Sequence, residues 1–178
     1  PESPRHLRGA LPARVPIPQH DPWNTAEALR LRHFCFLNDP ADLRNPVRWS
    51  AREKPLLWRF NLHYFHYLHL LERDEQDVLC RDWIASHPPG TQPAWHAYPT
   101  SLRIVNWCRA GVEAADLQES LYKQAAHLYR NLETHVMGNH LLENARALVY
   151  AGRFFGRQGE APQWLEKGLG IFRRQTPE

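Results

Sequence analysis

Apolar and polar positions change period along the chain, and the changes mark its elements. Residues 24–32 (NTAEALRLR) carry a helix signal, with Asn24 or Thr25 placed to cap it. His33-Phe34-Cys35-Phe36-Leu37 is short, aromatic and bounded by Asn38-Asp39-Pro40, which predicts a strand. A second short strand is expected near Pro46-Val47-Arg48-Trp49. Residues 56–71 (LLWRFNLHYFHYLHLL) are apolar or aromatic nearly all round and predict a helix buried on several sides. Residues 74–86 open with acids, which suit the positive end of a helix, and His87-Pro88-Pro89-Gly90 stops it. A Pro-punctuated loop over 91–99 leads to Thr100 or Ser101 as the cap of a helix over 101–115. Over 117–136, Leu117, Leu121, Gln124, Leu128 and Leu132 recur at helical spacing. Gly138 breaks that run, Asn139 begins another helix, and a last one is expected over about 161–174.

Five or six helices from residue 55 onward, joined by short breaks, imply antiparallel neighbours. No fixed-period repeat runs through them, which leaves an irregular bundle, a solenoid or part of an α/α toroid. Residues 1–22 hold six prolines. Each fixes φ and removes a donor, so an extended arm is expected there, as a linker or a strap over the domain.

Composition narrows the class. The 178 residues are 43% hydrophobic and 23% charged, which suits a globular chain with an ample core and excludes a wholly disordered one. No apolar run approaches the roughly 18 residues of a membrane span. The start, Pro1-Glu2-Ser3-Pro4-Arg5, lacks an initiator Met and an apolar signal-peptide core, and reads as a processed product or a fragment. Net charge is +3, with ten basic and six acidic residues in the first 60, so an anionic partner is suited. There is no basic block of the kind that binds nucleic acid. Cys35, Cys80 and Cys108 are too few and too scattered for a disulfide framework or a metal knuckle. The unusual content is 7 Trp, 6 Tyr, 7 Phe and 11 His, which serves either a dense core or a groove that stacks on ring-shaped ligands.

Three segments could carry chemistry. In Trp58-Arg59-Phe60-Asn61-Leu62-His63-Tyr64, the polar ends of Asn61, His63 and Tyr64 sit on an apolar helix and need partners from the protein or a ligand. His63, His66 and His69 recur every three residues, a weak metal signal beside the plainer reading of satisfied imidazoles in helix packing. In the second segment, 95–103, Trp95 and Tyr98 could stack on sugar faces and Arg103 could grip a carboxylate. A packed loop, with Arg103 paired to an internal acid, explains the same residues. In the third, Asn139 stands at a helix start, where backbone donors favour an anion, with His140, Glu143 and Asn144 on the following turn. Gripping a substrate carboxylate is one use; an ordinary cap with an ordinary His140–Glu143 pair is the other. The pattern is not HExxH, so a zinc protease has little support.

Together the segments WRFNLHYFHYL, YPTSLRIVNW and GNHLLENARALVYAGRFF, in this order, resemble the heparinase II/III-like polysaccharide lyases over roughly residues 33–175. The resemblance implies a mainly α fold: an incomplete α/α toroid of antiparallel helical hairpins, with the Pro-rich arm and one or two short strands before it. Residues 23–178 would be the N-terminal portion of the toroid, and the family's β-sandwich domain would be absent. It implies β-elimination on a uronic-acid polysaccharide, with Asn139 neutralising the carboxylate, His140 beside it, and Glu143 near the site. A groove is expected past Asn61, His63, Tyr64, Tyr98, Arg103, Asn139 and His140, with Trp95 as a further sugar contact. The partner would be an anionic polysaccharide, in a periplasmic or secreted setting. No cofactor and no metal are implied. The family's catalytic Tyr lies some tens of residues beyond the Asn-His pair, and the chain ends at Glu178. This chain is therefore expected to be inactive alone, with exposed toroid surfaces that could self-associate. A toroid glycoside hydrolase and a non-catalytic carbohydrate-binding or scaffold module are the other readings.

Overall fold

Residues 24–44, 46–134 and 139–175 are described in the computed structural model, so the arm expected over 1–22 lies outside the described residues. The first element, α1, spans Ala26–Arg30, and the Thr25 hydroxyl caps it by accepting the Ala28 N–H at 3.1 Å. Strand β1 (His33–Phe36) then pairs antiparallel with β2 (Asp39–Asp42), placing Phe34 opposite Ala41 and Phe36 opposite Asp39. The second strand is thus earlier than the expected 46–49. Leu37 and Asn38 form the two-residue turn, both at positive φ (57° and 60°). That backbone matches the twist of a tight hairpin. Pro40 reads as a stop signal, but it is tolerated because a two-stranded ribbon consists only of edges. Val47 and Trp49 are buried nonetheless, in irregular chain anchored by the Val47 N–H on the Asp82 carboxylate at 3.2 Å.

The long apolar run does not form one helix. It is split into α2 (Leu56–Tyr64) and a 3-10 turn over His66–Leu70, with Phe65 between them at φ 59°, ψ 27°. A left-handed non-glycine residue costs roughly 1–2 kcal/mol. Burying a Phe side chain returns about 1.5–3 kcal/mol, and Phe65 is fully buried against Trp49, Tyr67 and Trp107, each centroid 5.6 Å away. The break therefore lasts, and His63, His66 and His69 do not follow one helix.

Helix α3 (Arg73–Ser86) opens with a reciprocal capping box between Glu72 and Glu75. Helix α4 (Ala97–Ala110) starts four residues before the expected Ser101, after His96, with Pro99 in its first turn, where a missing N–H costs nothing. Gly111 ends it in the left-handed region, and the Arg73 guanidinium donates to the Ala110 and Gly111 carbonyls at 2.8 Å each. Helix α5 (Ala115–Arg130) buries Leu117, Leu121, Gln124 and Leu128 on one face. Leu132 lies past its end.

Helices α6 (Asn139–Phe155) and α7 (Ala161–Gln175) form a tight antiparallel hairpin. Its closeness requires two glycines: a Cβ on Gly152 would lie 2.7 Å from the Leu165 Cβ, and one on Gly168 would lie 2.7 Å from the Ala145 carbonyl oxygen. Helix α6 also packs on α4, which packs on α2 and α5. Among the described residues the fold is mainly α, an incomplete α/α toroid of antiparallel hairpins, with one short ribbon that packs through Phe34 on Tyr67. No helix among the described residues is long and apolar enough to cross a membrane.

Candidate functional site

The first turns of α4 carry polar side chains in two directions. One set points inward. Arg103 is 0% exposed, yet its hydrogen bonds run to neutral acceptors. Its Nε donates to the Gln124 amide oxygen at 2.7 Å, Nη1 to the carbonyls of Ala94 (2.9 Å) and His63 (3.2 Å), and Nη2 to the Thr100 hydroxyl (3.2 Å). The guanidinium also lies 4.0 Å from a Trp83 ring centroid, a cation–π contact. Burial pushes its pKa down to about 9. His63 is buried beside it and accepts the Trp83 indole N–H at 3.3 Å. Burial first, then the neighbouring His87 and Arg103, hold His63 well below the usual imidazole range, so it is neutral. Trp95, 3% exposed, donates its indole N–H to the His87 carbonyl at 3.1 Å.

The other set lies where α2, α4 and α6 meet, with Tyr64 buried and Tyr98 and His140 partly exposed. Tyr64 sits edge-on to Tyr98 (centroids 5.9 Å), and Tyr98 packs on His140 (4.3 Å, rings tilted by 31°). Asn106 fixes the base of Tyr64 by donating to its carbonyl at 2.8 Å. The His140 ring is 41% exposed, and its Nδ1 lies 3.1 Å from the Glu133 carboxylate, whose side chain is only 8% exposed. Asn144 completes the network from below. Its Oδ1 accepts the Glu133 N–H (2.9 Å), and its Nδ2 faces both the Ser101 hydroxyl (3.0 Å) and the second Glu133 oxygen (3.3 Å). Asn139, the first residue of α6, is exposed. Burial, then the nearby Tyr98, drives the Tyr64 phenol far above its ordinary value; burial, then Glu143, raises Tyr98 less. The site can therefore offer an exposed amide, an imidazole edge and aromatic faces above a fixed, buried carboxylate.

A family model for the heparinase II/III N-terminus matches residues 79–178, more than half of the chain. The chain belongs to this heparinase II/III family. Among solved structures, a heparinase III gene product with methylated lysines matches it with a TM-score of 0.74 at 19% identity. That match covers 92% of this chain and 32% of the other, so the chain spans about a third of that protein's length. No curated protein matches the sequence.

The family match includes two of the three sequence motifs; WRFNLHYFHYL precedes it. Of the residues expected along one groove, Tyr64, Tyr98 and His140 meet, with Asn139 adjoining His140 at the open start of α6. Asn61 is half-buried one turn before Tyr64, and its amide donates to the Leu57 carbonyl at 2.8 Å. His63, Trp95 and Arg103 are not on a groove wall: all three are buried in the core, where Arg103 and Trp95 donate to protein acceptors and His63 accepts at Nδ1 while its Nε2 is buried with no hydrogen-bond partner. Glu143 does not pair with His140; it accepts from Arg146 at 3.0 Å. The sequence reading missed Glu133 altogether. The helical run expected over 117–136 ends instead at Arg130, and a lone acid at the end of such a run usually marks a solvated position, so only its nearness to the Asn-His motif could have drawn notice. Among the described residues no group of three metal-binding side chains converges.

Proposed function

We propose that this chain is part of a polysaccharide lyase that cleaves uronic-acid-containing polysaccharide by β-elimination, with Asn139 and His140 at the uronate carboxylate. The observation that carries the reading is their position. Both stand at the solvent-open start of α6, within the stretch matched by the family model, with the Tyr98 ring against His140.

The chemical obstacle is a C5 proton of low acidity. As a base removes it, negative charge spreads onto the C6 carboxylate in an enolate-like species. The C4=C5 double bond then forms as the C4–O4 bond breaks, and O4 takes up a proton. Donors aimed at the carboxylate oxygens act where charge develops, so they lower the barrier rather than merely tighten binding. The Asn139 amide supplies two N–H groups, and His140 lies beside it. In this proposal Tyr98, Asn61 and Glu143 are the saccharide contacts, and Tyr64 is buried behind the Tyr98 ring that it supports. Tyr64 is a poor base, because burial keeps its proton on. The family's catalytic Tyr, farther along the lyase domain, fills that role in this proposal. His63, Trp95 and Arg103 serve beneath the site, holding α2 and the 87–97 loop in place.

The test is Asn139→Ala in the longest form of the protein. Elimination, followed by ultraviolet absorbance of the unsaturated product, should fall about 10²-fold or more, with the helical circular dichroism spectrum unchanged. Undiminished elimination would remove Asn139 from the mechanism.

A further inference from the structure

We infer that Glu133 is a positioning residue for His140, fixing Nδ1 as the inward proton donor so that Nε2 is the nitrogen turned to substrate. The inference deepens the lyase reading and rests on it for the word substrate; the tautomer itself is independent of that reading.

The geometry leaves little choice. Glu133 comes from the α5–α6 connection, and its Oε1 lies 3.1 Å from the His140 Nδ1. An ionised carboxylate only accepts, so Nδ1 must carry the proton whether the ring is neutral or charged. The carboxylate cannot swing away, because Asn144 holds it. Asn144 accepts the Glu133 N–H at Oδ1, which turns its Nδ2 toward Glu133 Oε2 and Ser101 Oγ. The Ser101 hydroxyl donates in turn to the Ala97 carbonyl at 2.9 Å, tying the network to the turn of α4 that carries Tyr98. Tyr98 packs on the imidazole face at 4.3 Å and restricts its rotation. The His96 Nδ1 is 3.9 Å from the same Glu133 oxygen, beyond hydrogen-bond reach, and does not displace His140. When neutral, His140 thus presents a lone pair at Nε2. When protonated, it presents an Nε2–H that a uronate carboxylate can accept, with Glu133 as its internal counter-charge.

The same network predicts the effect of Glu133→Gln. A glutamine has one oxygen, and the fixed Asn144 Nδ2 requires it. The new amide NH2 then faces His140 and donates to Nδ1. This forces the proton to Nε2 and inverts the tautomer, with no large change in volume. A purely structural role for Glu133 would not do that.

The experiment is 15N NMR of histidine-labelled full-length protein, with the His140 signals identified by their loss in His140→Gln. Neutral His140 should be the Nδ1–H tautomer in the parent protein and predominantly Nε2–H in Glu133→Gln. An Nε2–H tautomer in the parent overturns the inference even if the variant fails to fold. So does an unchanged tautomer in a folded variant. With a cleaved polysaccharide in hand, Glu133→Gln should lower kcat by about tenfold or more, as a wrong tautomer does elsewhere, and leave KM nearly unchanged. The expected tautomers in a protein with no lyase activity would count against the lyase reading alone.

Discussion

Two clusters of histidine, aromatic and amide side chains flank the first turns of α4, and they have opposite characters. Around Arg103 every polar group is sealed among Trp83, Gln124, Thr100 and two carbonyls. Around Glu133 the buried carboxylate is also fully engaged, but the side chains above it, His140 and Asn139, reach solvent. The two share residue types and even a helix: Thr100 and Arg103 belong to one, Tyr98 and Ser101 to the other. The difference lies in what the connections supply. The loop before α4 supplies the Ala94 carbonyl and α2 the His63 carbonyl, while the Trp83 ring covers the guanidinium and the Trp95 ring stacks on Trp83. The 131–134 connection supplies a carboxylate from below. A buried cation that meets only neutral acceptors anchors backbone. An exposed imidazole backed by an acid is equipped to meet a ligand.

The comparison breaks most easily at Arg103. Arg103→Met should leave the Gln124 oxygen and two carbonyls without their donor, at roughly 1–3 kcal/mol for each unmet group. Relief from burying a charge offsets part of this. A net loss of about 3 kcal/mol is expected in urea denaturation. A variant of normal stability that had lost saccharide binding would put Arg103 back in the site.

A second test is pH. His63, His66 and His87 all have folded-state values below the ordinary 6.5, mainly through burial; His66 and His87 fall to about 4. The unfolded chain therefore binds more protons below that value. Stability is fully present above about pH 6.5 and is lost as pH falls toward about 4. The loss reaches at most about 1.4 kcal/mol for every tenfold drop in proton affinity that folding imposes on a buried imidazole. Denaturation midpoints measured from pH 7 to 4 should decline, and His87→Asn should flatten the decline. A flat profile in the parent protein would mean these imidazoles are not held neutral.

The smallest effect separates the ring of Tyr98 from its hydroxyl. Tyr98→Phe keeps the packing on His140 and should change uronate oligosaccharide affinity little. Tyr98→Ala frees the imidazole and should weaken affinity by up to about tenfold, at the scale of an aromatic pair contact. Equal losses in calorimetry would mean that the hydroxyl, not the ring, matters.

Much of this was legible in the sequence. Helices α3, α5, α6 and α7 announce themselves through acids at a start, Leu at helical spacing, or a Gly break, signals that act within a few residues. The break at Phe65 was not legible, because it depends on rings from Trp49 and Trp107 that are distant in sequence. Strand β2 was hidden by Pro40, which reads as a stop yet suits an edge. At the site, the Asn139-His140 motif is local and visible. Glu133 is not, since its meaning depends on Asn144 and Ser101 arriving from two other helices. Arg103, His63 and Trp95 misled for the same reason: their types announce a need for partners without saying whether protein or ligand supplies them.

The most direct measurement is mass spectrometry of products after the longest form of the protein is incubated with a panel of uronate polysaccharides. Unsaturated oligosaccharides, each lighter by one water than a hydrolysis product, are the predicted result. Hydrated products would point to a hydrolase, and the absence of any cleavage across the panel would point to a binding or scaffold module; either would contradict the account.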